Sequence, residues 1–130
     1  MMPFDAPTGN ETVLFVEDDE LVRKLNLKIL EQLGYSVVHA ENGKEALELA
    51  AKHERKIDLL ITDVIMPEMN GEELARKISQ INPEIKILFT SGYTEDVIAP
   101  HGVLDRGIHF IGKPYKPNQL ASKIREVLDG

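Results

Sequence analysis

Apolar positions along the chain recur with two periods that take turns. TVLFV (12–16) is a short β-branched apolar run, suited to a strand covered on both faces. Leu21, Val22, Leu25, Ile29 and Leu33 then recur at helical spacing, and Gly34 follows as a stop. SVVHA (36–40) is a second strand whose mixed character suits a sheet edge. Asn42 with Glu45 three residues on has the capping-box spacing and opens a helix that buries Ala46, Leu47 and Ala50. IDLLIT (57–62) is the third strand, and Asn70 with Glu73 repeats the cap spacing ahead of a helix carrying Leu74 and Ile78. IKILFT (85–90) is a fourth strand, with a weak helix after it from about 95 to 102. IHFI (108–111) is a fifth, and Pro117 starts a last helix with Leu120, Ile124, Val127 and Leu128 inside.

Five strands alternating with five helices predict right-handed βαβ units, hence an α/β fold with a parallel sheet covered on both faces. With so few strands the expected order is the doubly wound, flavodoxin-like 2-1-3-4-5. Residues 1–10, rich in Pro, Gly, Asp and Asn, read as a leader or linker, and residues 11–130 as a single domain without repeats. Ligands on such folds bind outside the carboxyl ends of the strands. Those ends are chemically loaded: Glu17-Asp18-Asp19 after strand one, Asp63 at strand three, Thr90-Ser91 at strand four, and Lys113-Pro114 after strand five.

Composition narrows the chemistry. Without cysteine, the chain has no thiolate ligand, thiol nucleophile or disulfide. A formal charge of −7 disfavours nucleic acid and anionic membrane surfaces as partners. No apolar run approaches the roughly 20 residues of a membrane span, and the N-terminus lacks the basic start and apolar core of a signal peptide. A cytoplasmic domain is expected. Carboxylates gathered at one sheet edge repel one another unless a cation sits among them. With only hard oxygen ligands to hand, that cation is Mg²⁺ or Mn²⁺. A carboxylate beside such an ion can act as a nucleophile on phosphorus, while a hydroxyl and an ammonium meet the charge on the phosphoryl oxygens. Asp18, Asp63, Thr90 and Lys113 fill those roles.

Each residue alone has a duller reading. Asp is a common turn residue and helix cap, Thr90 a β-branched strand residue, and Lys113 an ordinary solvated lysine. Their coincidence at four strand ends outweighs those readings. Asp19 is best read as the cap of the first helix. Met66 and Met69 pack the loop around Pro67, and Gly71 allows close backbone approach. His39, His53, His101 and His109 share no ligand spacing.

ETVLFVEDDELVRK, DVIMPEMNGEEL, LFTSGY and FIGKPYKPNQL together resemble the receiver domain of two-component response regulators, over about residues 11 to 129. The resemblance implies that Asp63 takes a phosphoryl group from a phosphohistidine of a histidine kinase or a histidine phosphotransfer domain, in a Mg²⁺-dependent reaction. It makes Asp18 a direct metal ligand, Glu17 an indirect one through water, and the Ile65 backbone carbonyl a third protein contact. Thr90 and Lys113 engage the phosphoryl oxygens. Phe110 is the switch aromatic, which moves with Thr90 and remodels the surface of the fourth helix, fifth strand and last helix. Such a domain is a cytoplasmic signalling phosphoprotein rather than an enzyme, with self-phosphorylation and self-dephosphorylation at most, and it allows a phosphorylation-dependent dimer. The TSGY run and Pro-rich leader resemble receivers at the C-termini of hybrid sensor histidine kinases. Glu17 stands where Asp is commoner, and Phe110 lacks a tyrosine's hydroxyl.

Three other functions compete. A haloacid-dehalogenase-type aspartyl-phosphate hydrolase would carry a second Asp two places after its nucleophile, where this chain has Ile65. A flavin-binding domain of the same fold would have a Ser/Thr/Gly-rich loop after strand one in place of EDDE. A degenerate receiver, acting only as a protein-binding module, would lack one of the expected site residues.

Overall fold

A computed structural model describes residues 7–53, 56–92 and 109–130. Its elements, in chain order, are β1 (Thr12–Val16), α1 (Glu20–Gln32), β2 (Ser36–Ala40), α2 (Gly43–Lys52), β3 (Leu59–Asp63), α3 (Gly71–Ile81), β4 (Lys86–Ser91), β5 (His109–Gly112) and α4 (Pro117–Asp129). The five strands pair in parallel in the order β2-β1-β3-β4-β5. The helix expected at about 95–102 lies outside the described residues. Element ends otherwise fall within two residues of expectation, the usual uncertainty of a boundary.

Alternation along the central strands splits the core into two layers. Leu14, Val16, Leu60 and Phe89 face Ala46 of α2 and Leu74 and Ile78 of α3. Val13, Phe15, Leu59, Ile61 and Leu88 face Leu30 and Leu33 on the α1 side, and Leu120 and Ile124 of α4. Period-two patterning thus places a helix pair on each sheet face, as a doubly wound sheet requires. Every residue of β1 and β3 is buried, whereas β2, the strand with mixed character, lies at an edge. The Asn42 and Asn70 side chains cap α2 and α3, each accepting from the backbone N–H of the Glu three residues on, at 2.8 Å.

The helical spacing of Leu21, Val22, Leu25, Ile29 and Leu33 marks α1 but does not mark its inward face, for Leu21 is 78% and Leu25 59% exposed. The buried residues of α1 are Asn26 and Leu30. The apolar stripe is wider than the face that meets the sheet, so the helix turns Leu30 inward and leaves Leu21 and Leu25 outside.

At the opposite end from the acidic cluster, the chain is tied down before β1. Gly9 donates to the Leu33 carbonyl at 3.0 Å, and Arg125 of α4 grips Glu11 at 2.7 and 3.0 Å. That guanidinium holds the Glu11 carboxyl below its usual range.

Candidate functional site

The register of the sheet assembles the cluster. Asp63 ends β3, and its Cα partner on β4 is Thr90. Beyond the strands the ladder continues through Val64 N–H to the Thr90 carbonyl (3.0 Å) and Lys113 N–H to the Ser91 carbonyl (2.7 Å). Glu17 follows β1 directly, its N–H donating to the Ala40 carbonyl at 3.1 Å. Parallel pairing therefore brings residues from four separate stretches of chain to one edge.

Side-chain geometry there is convergent. The Thr90 hydroxyl donates to Asp63 Oδ1 at 3.2 Å. The Lys113 ammonium donates to Asp63 Oδ2 at 3.0 Å and to Glu17 Oε1 at 2.6 Å. Burial works against the Lys113 charge, but its hydrogen bonds to Glu17 and Asp63 prevail and hold it above its ordinary range. Glu17 and Asp63 are buried, while Asp18 stands at the surface. Partial desolvation, then the neighbouring Glu17 carboxylate, raise the Asp18 carboxyl.

One carboxylate oxygen from each of Glu17, Asp18 and Asp63 lies within 4.8 Å of the others. Three carboxylates against one ammonium leave a formal excess of two negative charges. The donors are all hard oxygens, and Asp18 opens the cluster to solvent. The arrangement fits a divalent cation of the Mg²⁺ class.

The other site expectations fall as follows. Phe110 on β5 pairs with Phe89 and packs, partly buried, against the core layer containing Leu60 and Phe89. Ile65, two residues past Asp63, is 45% exposed. Asp19 caps α1 by accepting from Val22 N–H at 3.0 Å, and Met66 and Met69 pack the loop as expected. Gly71 donates to the Val64 carbonyl at 2.7 Å. A Cβ on Gly71 would lie 2.1 Å from the Asp63 carbonyl oxygen, so the expected close approach is made to Asp63 itself.

Three contributors escaped the sequence reading. Arg23 of α1 donates to the Glu17 carbonyl at 2.8 Å. Asn26 and Tyr115 hydrogen-bond to each other beside Lys113. The available signal was an Asn set one helical turn from both Val22 and Leu30 in an apolar stripe.

Residues 13–125 match the response regulator receiver domain family. Among curated proteins, the chain is 39% identical over 122 residues to the sensor kinase CckA of Brucella abortus (strain 2308), covering 94% of this chain and 13% of that protein. It is 37% identical over 116 residues to the response regulator receiver protein CpdR of the same organism, covering 89% and 95%. The chain thus spans a small part of one relative and nearly all of the other. Among solved structures, the receiver domain of the hybrid histidine kinase CckA superposes with a TM-score of 0.76 at 35% identity, covering 90% of this chain and 98% of that one. Vibrio cholerae chemotaxis protein CheY4 gives a TM-score of 0.81 at 29% identity, covering 92% and 100%.

Proposed function

The chain belongs to the response regulator receiver domain family, and from that premise we propose that Asp63 is the phosphoryl acceptor of a two-component phosphorelay. The observation that carries the reading is the pairing of both Asp63 oxygens, one with the Thr90 hydroxyl and one with the Lys113 ammonium, next to Glu17 and Asp18. A carboxylate with an ammonium and a hydroxyl on its two sides has its transition-state donors already in place. In the transfer, a P–O bond forms at Asp63 and the P–N bond to the donor imidazole breaks; the donor ring carries a proton on its other nitrogen, so the electron pair of the broken bond leaves it as neutral imidazole. Glu17, Asp18, Asp63 and the Ile65 carbonyl are the residues to hold Mg²⁺ or Mn²⁺, which when bound neutralises charge on the phosphoryl oxygens. Lys113 and Thr90 then bind those oxygens in place of the free carboxylate. The donor is a histidine kinase or a histidine phosphotransfer domain, in keeping with the likeness to CckA. The domain works in the cytoplasm as a switch rather than as a turnover enzyme. Among the described residues no helix is long and apolar enough to cross a membrane.

Incubation with acetyl phosphate and Mg²⁺ is expected to add one phosphate, lost on treatment with hydroxylamine and not formed in the presence of a chelator. Intact-mass measurement reads all three. A chain that stays unlabelled, or labels equally well with the metal chelated, refutes the reading.

Release of Thr90 from Asp63 is the proposed trigger of the switch, with Phe110 beside Phe89 as its packing partner on the adjoining strand. Beryllofluoride with Mg²⁺ is expected to shift the amide resonances of Thr90 and Phe110 together. Shifts confined to residues 17–19 and 63–69, with Phe110 silent, would remove the switch from the proposal.

The phosphorylated state is expected to be long-lived. Hydrolysis needs a water held in line behind phosphorus, and its orientation governs the rate. Ile65 offers that water no hydrogen bond, and Gly92, where a Cβ would meet nothing within 4 Å, has no side chain to offer one. Ile65→Asn is expected to speed loss of phosphate by ~3- to 30-fold, equivalent to at most about 2 kcal/mol of transition-state stabilisation. Decay of the labelled mass at fixed Mg²⁺ measures it. Equal or slower decay in the variant would show that water access is controlled elsewhere.

A further inference from the structure

A buried asparagine ties helix α1 to the turn that carries Lys113. Asn26 is 5% exposed in a helix whose other inward residues are apolar. Its amide nitrogen donates to the Val22 carbonyl at 2.9 Å, and its oxygen accepts from the Tyr115 hydroxyl at 3.0 Å. The two residues stand 89 apart in the chain. Among the described residues no buried side-chain polar atom is without a partner.

The position of Lys113 explains what such a bond can do. A lysine reaches its target on a four-carbon stem with many rotamers, so the root of the stem decides how often the ammonium is in place. That root lies just past β5, an edge strand, where sheet pairing runs out. Lys113 N–H still bonds the Ser91 carbonyl, Pro114 has no N–H to give, and Lys116 N–H turns away to the Gln119 side chain at 2.7 Å. Tyr115, two residues beyond Lys113, packs its ring against the core layer and sends its hydroxyl to α1. On the same helix Arg23 holds the Glu17 carbonyl. One helix therefore bonds Glu17 directly, through Arg23, and the turn that carries Lys113, through Asn26 and Tyr115.

We infer that the Tyr115–Asn26 hydrogen bond is a latch that fixes the Lys113 turn against α1, and that Asn26 and Tyr115 are positioning residues for phosphoryl transfer at Asp63. The role in transfer rests on the reading of Asp63 as acceptor; the role in placing Lys113 does not. The bond also forms part of a groove of about 280 Å³ lined by Val22, Leu25, Ile29 and Pro114, so anything that displaces α1 there acts on Lys113.

Tyr115→Phe removes the hydroxyl and keeps the ring, and Asn26→Ala removes the acceptor from the other side. Three measurements apply to the wild type, each single variant and the double variant: the initial rate of labelling by acetyl phosphate at saturating Mg²⁺, Mg²⁺ affinity by amide NMR titration, and the Lys113 side-chain ¹³Cε resonance without phosphodonor. Each single variant is expected to label about 3- to 10-fold more slowly, the kinetic equivalent of one lost intramolecular hydrogen bond. The double variant is expected to be no slower than the slower single, because both changes break the same bond. The Lys113 resonance moves toward that of a solvated lysine in all three, while Mg²⁺ affinity stays within about twofold, since Glu17 and Asp18 are untouched. An unmoved Lys113 resonance in both single variants overturns the latch, as do rate losses that multiply in the double. A resonance that moves while labelling does not overturns the role in transfer. If the wild type itself takes no label, the acceptor reading fails, and the resonance still decides whether the latch holds.

Discussion

With Asp63 replaced by Asn, acetyl phosphate and Mg²⁺ are expected to add no phosphate, in a chain that still folds. The substitution keeps the shape and buried volume of the side chain. It removes the charge that accepts from Lys113 at 3.0 Å and leaves an oxygen able to accept from Thr90. An amide is a poor nucleophile toward phosphorus, so the transfer loses the atom that forms the bond. The neighbours are poor substitutes. Glu17 is 3% exposed and held by Lys113 at 2.6 Å, and in the variant that ammonium has Glu17 as its remaining carboxylate partner. Asp18 stands at the surface, without the hydroxyl and ammonium that flank Asp63. Intact-mass measurement of both proteins after equal exposure to phosphodonor is the test. Labelling of Asp63→Asn at the wild-type rate would place the acceptor elsewhere, and peptide mapping would locate it.

The strand order and the strand-end cluster were legible because both follow from short-range pattern. Each strand is a run of four to six residues whose alternation the sheet uses directly, and parallel pairing puts all carboxyl ends on one edge. Once the order was read, Glu17, Asp63, Thr90 and Lys113 had to meet. Capping was legible for the same reason, since Asp19, Asn42 and Asn70 act on residues three positions away. The inward face of α1 was not. Two of its apolar residues, Leu21 and Leu25, carry the helical period as well as the buried ones do, and only packing against β-strand neighbours selects Leu30 over them. The Asn26–Tyr115 bond was invisible for a related reason. Its meaning depends on a partner 89 residues away, and a polar residue in an apolar stripe reads locally as a defect.

Gly71→Ala is expected to damage both stability and phosphoryl transfer, because the helix start and the end of β3 touch at this residue. Gly71 is the first residue of α3, buried, and its N–H donates to the Val64 carbonyl at 2.7 Å. The added methyl would sit 2.1 Å from the Asp63 carbonyl oxygen, 3.0 Å from its carbonyl carbon and 3.1 Å from Val64 Cα. All three are backbone atoms of the strand end, so no side-chain rotation relieves the clash. Either α3 or the end of β3 must move by about 1 Å, and overpacking of this kind costs about 2–3 kcal/mol. If β3 yields, the Asp63 carboxyl shifts against Thr90 and Lys113, and a misplacement of that size slows a positioned reaction by roughly 10- to 100-fold. Gly43→Ala is the control, since its methyl would meet the Met69 side chain, the sulfur at 2.7 Å and Cβ at 3.2 Å, and a flexible thioether that turns aside leaves only a shift of a few tenths of an ångström. Urea unfolding and the initial labelling rate of the two variants make the comparison. Matching losses in Gly71→Ala and Gly43→Ala would show that α3 slides freely on β3 and that the close approach does not hold Asp63 in place.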